Sequence, residues 1–135
     1  MTEIIEALRH AYEAFNQGEI QACLHALDPN IEWIEPAEFI GGGTYHGHAG
    51  VAQYLTQSRQ AWAEIHSEPE EFIQVGDKVV VFVHARIRSR DSDEVREARI
   101  ADVYTIRGDK AVRMQAFVDR QEALRFVGLG IGDFI

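Results

Sequence analysis

Positive charge is scarce in this chain of 135 residues, which has 13 lysines and arginines against 22 aspartates and glutamates. The formal charge of -9 at pH 7 argues against nucleic acid or an anionic membrane surface as a partner, because both are bound through clusters of basic side chains. Cysteine is scarcer still. Cys23 is the single one and cannot form an internal disulfide, so we expect a small buried hydrophobic residue rather than a reactive thiol.

Long hydrophobic runs are also missing. No window reaches the roughly 18 apolar residues of a membrane-spanning helix, and the first residues do not combine a basic segment with an apolar core. We therefore expect a cytoplasmic protein without an export signal. Because 46% of the residues are hydrophobic, residues 1–135 are expected to form a single domain with one core and room for an internal pocket.

The spacing of apolar residues predicts helices in the first half of the chain and strands in the second. Helices are expected at residues 2–16, 19–27 and 48–65, with a strand at 31–35 and a glycine-rich loop at 37–44. Further strands are expected at residues 68–75, 78–90, 94–107 and 110–119, and a closing helical turn at 120–126. The short turns between these strands predict an antiparallel meander. The domain is therefore α+β, with helices over one face of the sheet.

The strand expected at residues 78–90 has two different faces. An apolar row that suits an interior consists of Val79, Val81, Val83, Ala85 and Ile87. The opposite row mixes apolar and cationic side chains: Val80, Phe82, His84, Arg86 and Arg88. We expect this second row to be partly solvated or covered by another subunit, which predicts a homodimer through the outer face of the sheet.

A carboxyl group stands among bulky apolar residues just before Pro36. Strict alternation puts Glu35 on the same face of its strand as Ile31 and Trp33. If that face is buried, desolvation raises the pKa of Glu35, which is how a general base near neutral pH is made. If Glu35 instead reaches solvent at the end of the strand, it has no such role.

Three segments stand out by their order and spacing: Glu35-Pro36, the run from Tyr45 to Val51 that opens the third helix, and the run from Arg107 to Met114. Together they resemble the ketosteroid isomerase-like, SnoaL-like branch of the nuclear transport factor 2-like superfamily. The resemblance covers nearly the whole chain. It implies a cone, in which a strongly curved antiparallel sheet wraps around three N-terminal helices and leaves an apolar cavity for a small hydrophobic molecule. The expected lining residues are Trp33, Tyr54, Val83, Tyr104, Ala116 and Val118.

The resemblance also implies roles for individual residues. Ketosteroid isomerase, a known case of carboxyl tuning, has a base before a proline, and that position resembles Glu35; the position of its protonated acid resembles Asp102. Asp102 could instead pair with an arginine on a neighbouring strand. The position of the oxyanion-hole tyrosine resembles Ala11, and Tyr12 lies about 100° further around the helix, so steroid isomerisation itself is not implied. Tyr54 is either a replacement hydroxyl or a core aromatic residue.

Several other polar residues are expected to be structural. Asp119 resembles the acid/base residue of SnoaL-like polyketide cyclases, but we expect it to cap the closing helix. His46 and His48 lack a third ligand placed by the sequence, so no metal and no cofactor are expected. The glycine run at residues 41–43 has no following lysine and serine or threonine, which favours a hinge or a pocket mouth over a phosphate-binding loop.

The leading hypothesis is a ketosteroid isomerase-like or polyketide cyclase-like enzyme, an isomerase or a cyclase/lyase, acting on a small hydrophobic carbonyl compound. Glu35 would abstract a proton next to the carbonyl, and Asp102 would donate a hydrogen bond to the developing enolate. Two alternatives use the same fold. One is a non-catalytic protein that binds a small apolar molecule, and the other is a dimeric interaction module whose cavity is filled by side chains.

Overall fold

The structure is a computed structural model that describes residues 2–130. Its helices are α1 (Thr2–Gln17), α2 (Ile20–Cys23), a short 3-10 helix (Leu24–Ala26), α3 (Gly47–Ala61) and α4 (Arg120–Phe126). Its strands are β1 (Leu27–Glu35), β2 (Gly43–His46), β3 (Glu64–Val75), β4 (Lys78–Arg88), β5 (Val95–Arg107) and β6 (Lys110–Phe117). None of the helices between residues 2 and 130 has the length and hydropathy that a membrane span requires.

The described strands form one six-stranded sheet in the order β2-β1-β6-β5-β4-β3. The antiparallel meander predicted from the short turns is confirmed for β3 to β6. Two pairings were not predicted: β1 lies parallel to β6, and β2 pairs antiparallel with β1. Two parallel strands require a long connection. Here residues 36–109 connect β1 to β6, so no turn signal in the sequence marks this pairing.

The third helix is shorter than its apolar spacing predicted. It ends at Ala61, and Trp62 already has extended backbone angles, with φ -121° and ψ 150°. β3 begins at Glu64, and Ile65 pairs with Ile87 of β4. The prediction of a helix to residue 65 is therefore wrong at its end, because pairing with a neighbouring strand outweighs the helical spacing of two apolar side chains.

The main core lies between the helices and the inner face of the sheet. Helix α1 buries a face that consists of Ile4, Leu8, Tyr12 and Phe15, at spacings of four, four and three. Leu8 is completely buried, and the inner row of β4 packs in the same cluster. Tyr12 rather than Ala11 thus belongs to the buried face, a difference that matters for the site below.

Part of the outer face of the sheet is covered by helix α4 of the same chain. Val80, Ala101 and Val103 form a second buried cluster with Ala123 of this helix. Some of the row that was expected to face solvent or a second subunit is therefore covered from within, and the homodimer through this face stays a prediction. Asp119 caps α4 as predicted, since its Oδ1 accepts the backbone N–H of Gln121 at 2.7 Å.

Candidate active site

A cavity of about 490 Å³ lies between helices α1 and α3 and the inner face of the sheet. Four of the expected lining residues border it: Trp33, Tyr54, Val83 and Tyr104. Aliphatic and aromatic side chains make up most of the wall, while the two carboxyl groups expected at the site, those of Glu35 and Asp102, also face the cavity. The space is large enough for a small ligand, and it is not filled by side chains.

Two of the expected lining residues do not border the cavity. Ala116 pairs with Asp102 across β5 and β6 and is buried in the main core, but its side chain ends at Cβ and does not reach the cavity wall. Val118 follows the end of β6 at Phe117, so strand alternation no longer sets its direction, and it is 42% exposed. Both expectations are corrected.

Glu35 is buried at the end of β1, with 8% of its surface exposed. Trp33 is two residues earlier on the same face and donates its indole N–H to Oε2 of Glu35 at 2.7 Å. Burial and, after it, the negative charge of Asp102 raise the pKa of Glu35 to about 8, although hydrogen bonds from Trp33 and Tyr54 oppose the rise. Glu35 therefore holds a proton at neutral pH.

Asp102 lies on the inner face of β5 beneath two tyrosines. The hydroxyl of Tyr12 donates to Oδ2 of Asp102 at 2.5 Å, and the hydroxyl oxygens of Tyr12 and Tyr104 are 3.0 Å apart. Burial raises the pKa of Asp102 to about 6, and the hydrogen bond from Tyr12 opposes the rise because it stabilises the carboxylate. At neutral pH Asp102 is mostly ionised, so the order of the two pKa values is opposite to the roles that the sequence suggested.

Neither carboxyl has a basic partner in the part of the chain that the structure describes. The ion pairs within the described part of the chain involve other carboxylates. Asp102 therefore does not pair with a neighbouring arginine, which was the alternative expectation. Because the charge of Asp102 contributes to the raised pKa of Glu35, the two groups titrate as a coupled pair. Between the two pKa values the pair carries one proton and one negative charge.

Tyr12 is the residue of the site that the sequence analysis missed. The resemblance placed Ala11 at the tyrosine position and set Tyr12 on an adjacent face of the helix. In the structure both residues line the cavity, and it is Tyr12 that reaches Asp102. The spacing allowed either residue, because Ala11 follows Leu8 by three residues and Tyr12 follows it by four, and both positions lie near one face of α1.

The loop between β1 and β2 borders the cavity at the glycine run. Phe39 and Ile40 of this loop line the cavity, and Ile40 is 66% exposed. The turn is tight: a Cβ on Gly42 would lie 2.2 Å from the carbonyl oxygen of Pro36, which only glycine avoids. The hydroxyl of Tyr45 donates to the carbonyl of Gly41 at 2.5 Å. The glycines therefore shape the pocket border.

His48 and His84 contact protein groups away from the carboxyl pair. A ring nitrogen of His48 lies 2.8 Å from the carbonyl oxygen of Leu27, and His84 lies 3.1 Å from Glu97. Within residues 2–130 no group of three or more metal-ligating side chains comes together. Cys23 lines the cavity as a buried thiol, and burial raises its pKa to about 11.

Comparison with known proteins agrees with this architecture. The SnoaL-like domain family matches residues 8–114. TerC, solved as a co-crystal with polyporic acid, is 29% identical over 93% of this chain and 98% of its own, with a TM-score of 0.78. A protein of unknown function from Burkholderia pseudomallei, described as similar to nuclear transport factor 2, is 27% identical over 95% of this chain and 99% of its own, with a TM-score of 0.79.

A more distant structure shares the fold alone. It is a protein with a ketosteroid isomerase-like fold from Catenulispora acidiphila, in complex with trimethylamine, at 15% identity and a TM-score of 0.73 over 93% of this chain and 92% of its own. The comparison with curated proteins finds no match. The match over residues 8–114 and the shared fold lead to one conclusion: the chain belongs to the SnoaL-like domain family.

Proposed function

We propose that this SnoaL-like domain is an acid/base enzyme, an isomerase or cyclase that acts on a small hydrophobic carbonyl compound without a cofactor. One observation carries the proposal. Glu35 and Asp102 face the same apolar cavity, each with a hydrogen-bond donor and neither with a basic partner among the described residues. Buried carboxyls without counter-charges destabilise a fold, so their meeting in a ligand-sized cavity favours a catalytic role.

The pair supplies a base and an acid at once. Ionised Asp102 takes a proton from the carbon next to the carbonyl; the electrons of the C–H bond form a carbon–carbon double bond, and the carbonyl π electrons move to oxygen. That oxygen takes the proton from Glu35, which gives a neutral enol. In a substrate with a carbon–carbon double bond beside the acidic carbon, the intermediate is a dienol; Asp102 delivers its proton to the far carbon while the enol O–H returns its proton to Glu35, which completes an isomerisation. In a cyclisation the enol carbon attacks a second carbonyl, the oxygen of that carbonyl takes the proton from Asp102, and the enol O–H again returns its proton to Glu35.

The surrounding contacts support this division. Trp33 donates to Oε2 of Glu35 and Tyr12 donates to Oδ2 of Asp102, and these hydrogen bonds hold the two carboxyls in place. The apolar wall keeps the effective dielectric constant low, which strengthens the interaction of both groups with a charge that develops on the substrate.

Ligand binding has a built-in reporter, because both tryptophans of the chain, Trp33 and Trp62, line the cavity. TerC was solved with polyporic acid, which makes this compound the first ligand to test here. We expect polyporic acid to quench the tryptophan fluorescence of this protein in a saturable way.

The catalytic test measures deuterium uptake next to a carbonyl. With 2-tetralone in heavy water, followed by proton NMR, the wild type is expected to exchange the α-protons faster than buffer. Asp102→Asn removes the base and is expected to lower the rate by roughly 1,000-fold, while Glu35→Gln keeps a donor at the same place and lowers it by roughly 10- to 100-fold. Glu32→Gln is the matched control, because Glu32 is on the same strand but pairs with Arg113 at 3.2 Å.

The outcomes separate the hypotheses. A larger loss in Glu35→Gln than in Asp102→Asn would make Glu35 the base, as the sequence suggested. Full exchange in both variants would remove the carboxyls from the mechanism. Saturable binding without exchange above buffer would favour a non-catalytic binding protein.

A further inference from the structure

Arg96 lines the cavity near the start of β5, while Asp102 lies in the middle of this strand. Alternation places both side chains on the inner face of the strand, and the six residues from Arg96 to Asp102 separate their Cα atoms by about 20 Å. In register with Arg96 are Ile87 of β4 and, on β3, Ile65. Arg96 is exposed and the two isoleucines are half-buried, so this layer forms the rim of the cavity.

The space between Arg96 and Asp102 is apolar and open. The layer directly inside the rim consists of three small side chains in register, Ser67, Ala85 and Ala98, all of which border the cavity. The next layer inward contributes Val83 and Ile100. Because small side chains leave room in the middle, the cavity accepts an elongated apolar body that reaches from the rim to the carboxyl pair.

Arg96 borders the cavity, whereas Arg86, Arg99 and Arg113 of the same sheet do not. Arg99 lies 3.5 Å from Glu70 and Arg113 lies 3.2 Å from Glu32, whereas Arg96 forms no ion pair with any residue between 2 and 130. A guanidinium that borders a cavity without a counter-charge is available to an anion of the ligand.

A second acidic residue of the cavity border, Glu38, limits the charge of that anion. Glu38 belongs to the loop between β1 and β2 and is not in an ion pair of the described residues, whereas Glu97 alternates with Arg96 and lies 3.1 Å from His84 of the outer row. One arginine opposed by Glu38 suits a group with a single negative charge better than a doubly charged phosphate.

We propose that the ligand is an elongated hydrophobic carbonyl compound with a carboxylate at its far end, and that Arg96 binds this carboxylate. The orientation, with the carbonyl inward, rests on the function proposed above. Arg96 is then a specificity-determining residue, because it selects the acid over its neutral ester while the carboxyl pair acts on the other end.

The test compares a keto acid with its ester. Tryptophan fluorescence at pH 7 gives the affinities of 10-oxoundecanoic acid and methyl 10-oxoundecanoate. We expect the wild type to bind the acid roughly five- to ten-fold more tightly than the ester, and Arg96→Gln to lose this preference while its affinity for the ester stays the same. Arg86→Gln, an exposed arginine on the outer row of β4 without an ion pair in the described part of the chain, is expected to keep the preference. Glu38→Gln is expected to increase it.

Equal affinity of the wild type for acid and ester, no binding of the acid, or an unchanged preference in Arg96→Gln would overturn the inference. The two proposals fail separately, because the exchange assay uses 2-tetralone, which has no anionic group. Loss of the acid preference in Arg96→Gln in a protein that exchanges no protons would support the carboxylate site and contradict the catalytic function.

Discussion

Glutamates on the two faces of the sheet have opposite environments, and their pKa values shift in opposite directions. On the outer face, Glu70 lies 2.7 Å from Arg120 and 3.5 Å from Arg99, and the hydrogen bond from Arg120 lowers its pKa. On the inner face, Glu35 has no cationic partner among the described residues, and burial raises its pKa to about 8. The outer carboxyl helps to attach α4 to the sheet. The inner one destabilises the fold in its charged form, so its presence is better explained by chemistry than by packing.

The largest expected effect is on the pH dependence of stability. The pKa of Glu35 rises from 4.5 to about 8 on folding, so the folded protein keeps a proton that the unfolded chain loses. The contribution of Glu35 to the free energy of unfolding is fully present below pH 4.5. It is lost as the pH rises towards 8, which lowers the free energy of unfolding by roughly 3–5 kcal/mol. Urea unfolding at pH 5, 7 and 9 is expected to show a steeper fall of this free energy with pH for the wild type than for Glu35→Gln.

The matched control for this experiment is Glu32→Gln on the outer face of the same strand. It is expected to follow the wild-type pH dependence, because its carboxyl is half exposed and paired with Arg113. A wild type and a Glu35→Gln variant with parallel pH dependences would mean that the inner carboxyl is not held protonated by burial.

An intermediate effect is expected from the tyrosine that contacts Asp102. Tyr12→Phe removes the hydrogen bond that lowers the pKa of Asp102, so this pKa is expected to rise and less of the base is ionised at pH 7. The loss of one hydrogen bond to a charged group is expected to reduce the exchange rate by roughly ten-fold. The pH–rate profile measures this as a shift of its acidic limb to higher pH.

Tyr104→Phe is the control for Tyr12, because the hydroxyl of Tyr104 lies 3.0 Å from that of Tyr12 and is not bonded to Asp102 directly. A smaller shift of the acidic limb is expected in this variant. An equal shift in both would show that the acidic limb responds to general changes in the pocket.

The smallest effect is expected on the outer face. Glu70→Gln breaks an exposed ion pair, and such pairs contribute little to stability. The exchange rate and the alkaline limb assigned to Glu35 are expected to stay the same. A loss of exchange comparable with that in Glu35→Gln would show that the outer carboxyl affects the exchange rate as much as the inner one, which would contradict the account.

Much of the fold was predictable because it depends on local patterns. Alternation around Ile31 and Trp33 predicted the inward direction of Glu35, and the cap at Asp119 follows from its position before α4. The parallel pairing of β1 with β6 was not predictable in this way, since it joins segments about 80 residues apart and leaves no turn signal.

The site was predicted less completely for a similar reason. Positions three and four residues after Leu8 both lie near one face of a helix, so spacing alone did not choose between Ala11 and Tyr12. The order of the two carboxyl pKa values depends on burial, on the charge of Asp102 near Glu35 and on the hydrogen bond from Tyr12 to Asp102, a contact across 90 residues of sequence. The cover that α4 provides to the outer face is a tertiary contact of the same kind.

The most direct test of the account is a carbon-13 NMR titration of the side-chain carboxyls of Glu35 and Asp102. A pH–rate profile cannot replace it, because exchanging the roles of the two groups leaves the bell shape unchanged. The account predicts that Glu35 titrates near pH 8 and Asp102 near pH 6, and that Asp102→Asn lowers the pKa of Glu35 by removing a negative charge. A Glu35 that titrates near 4.5, or below Asp102, would contradict it.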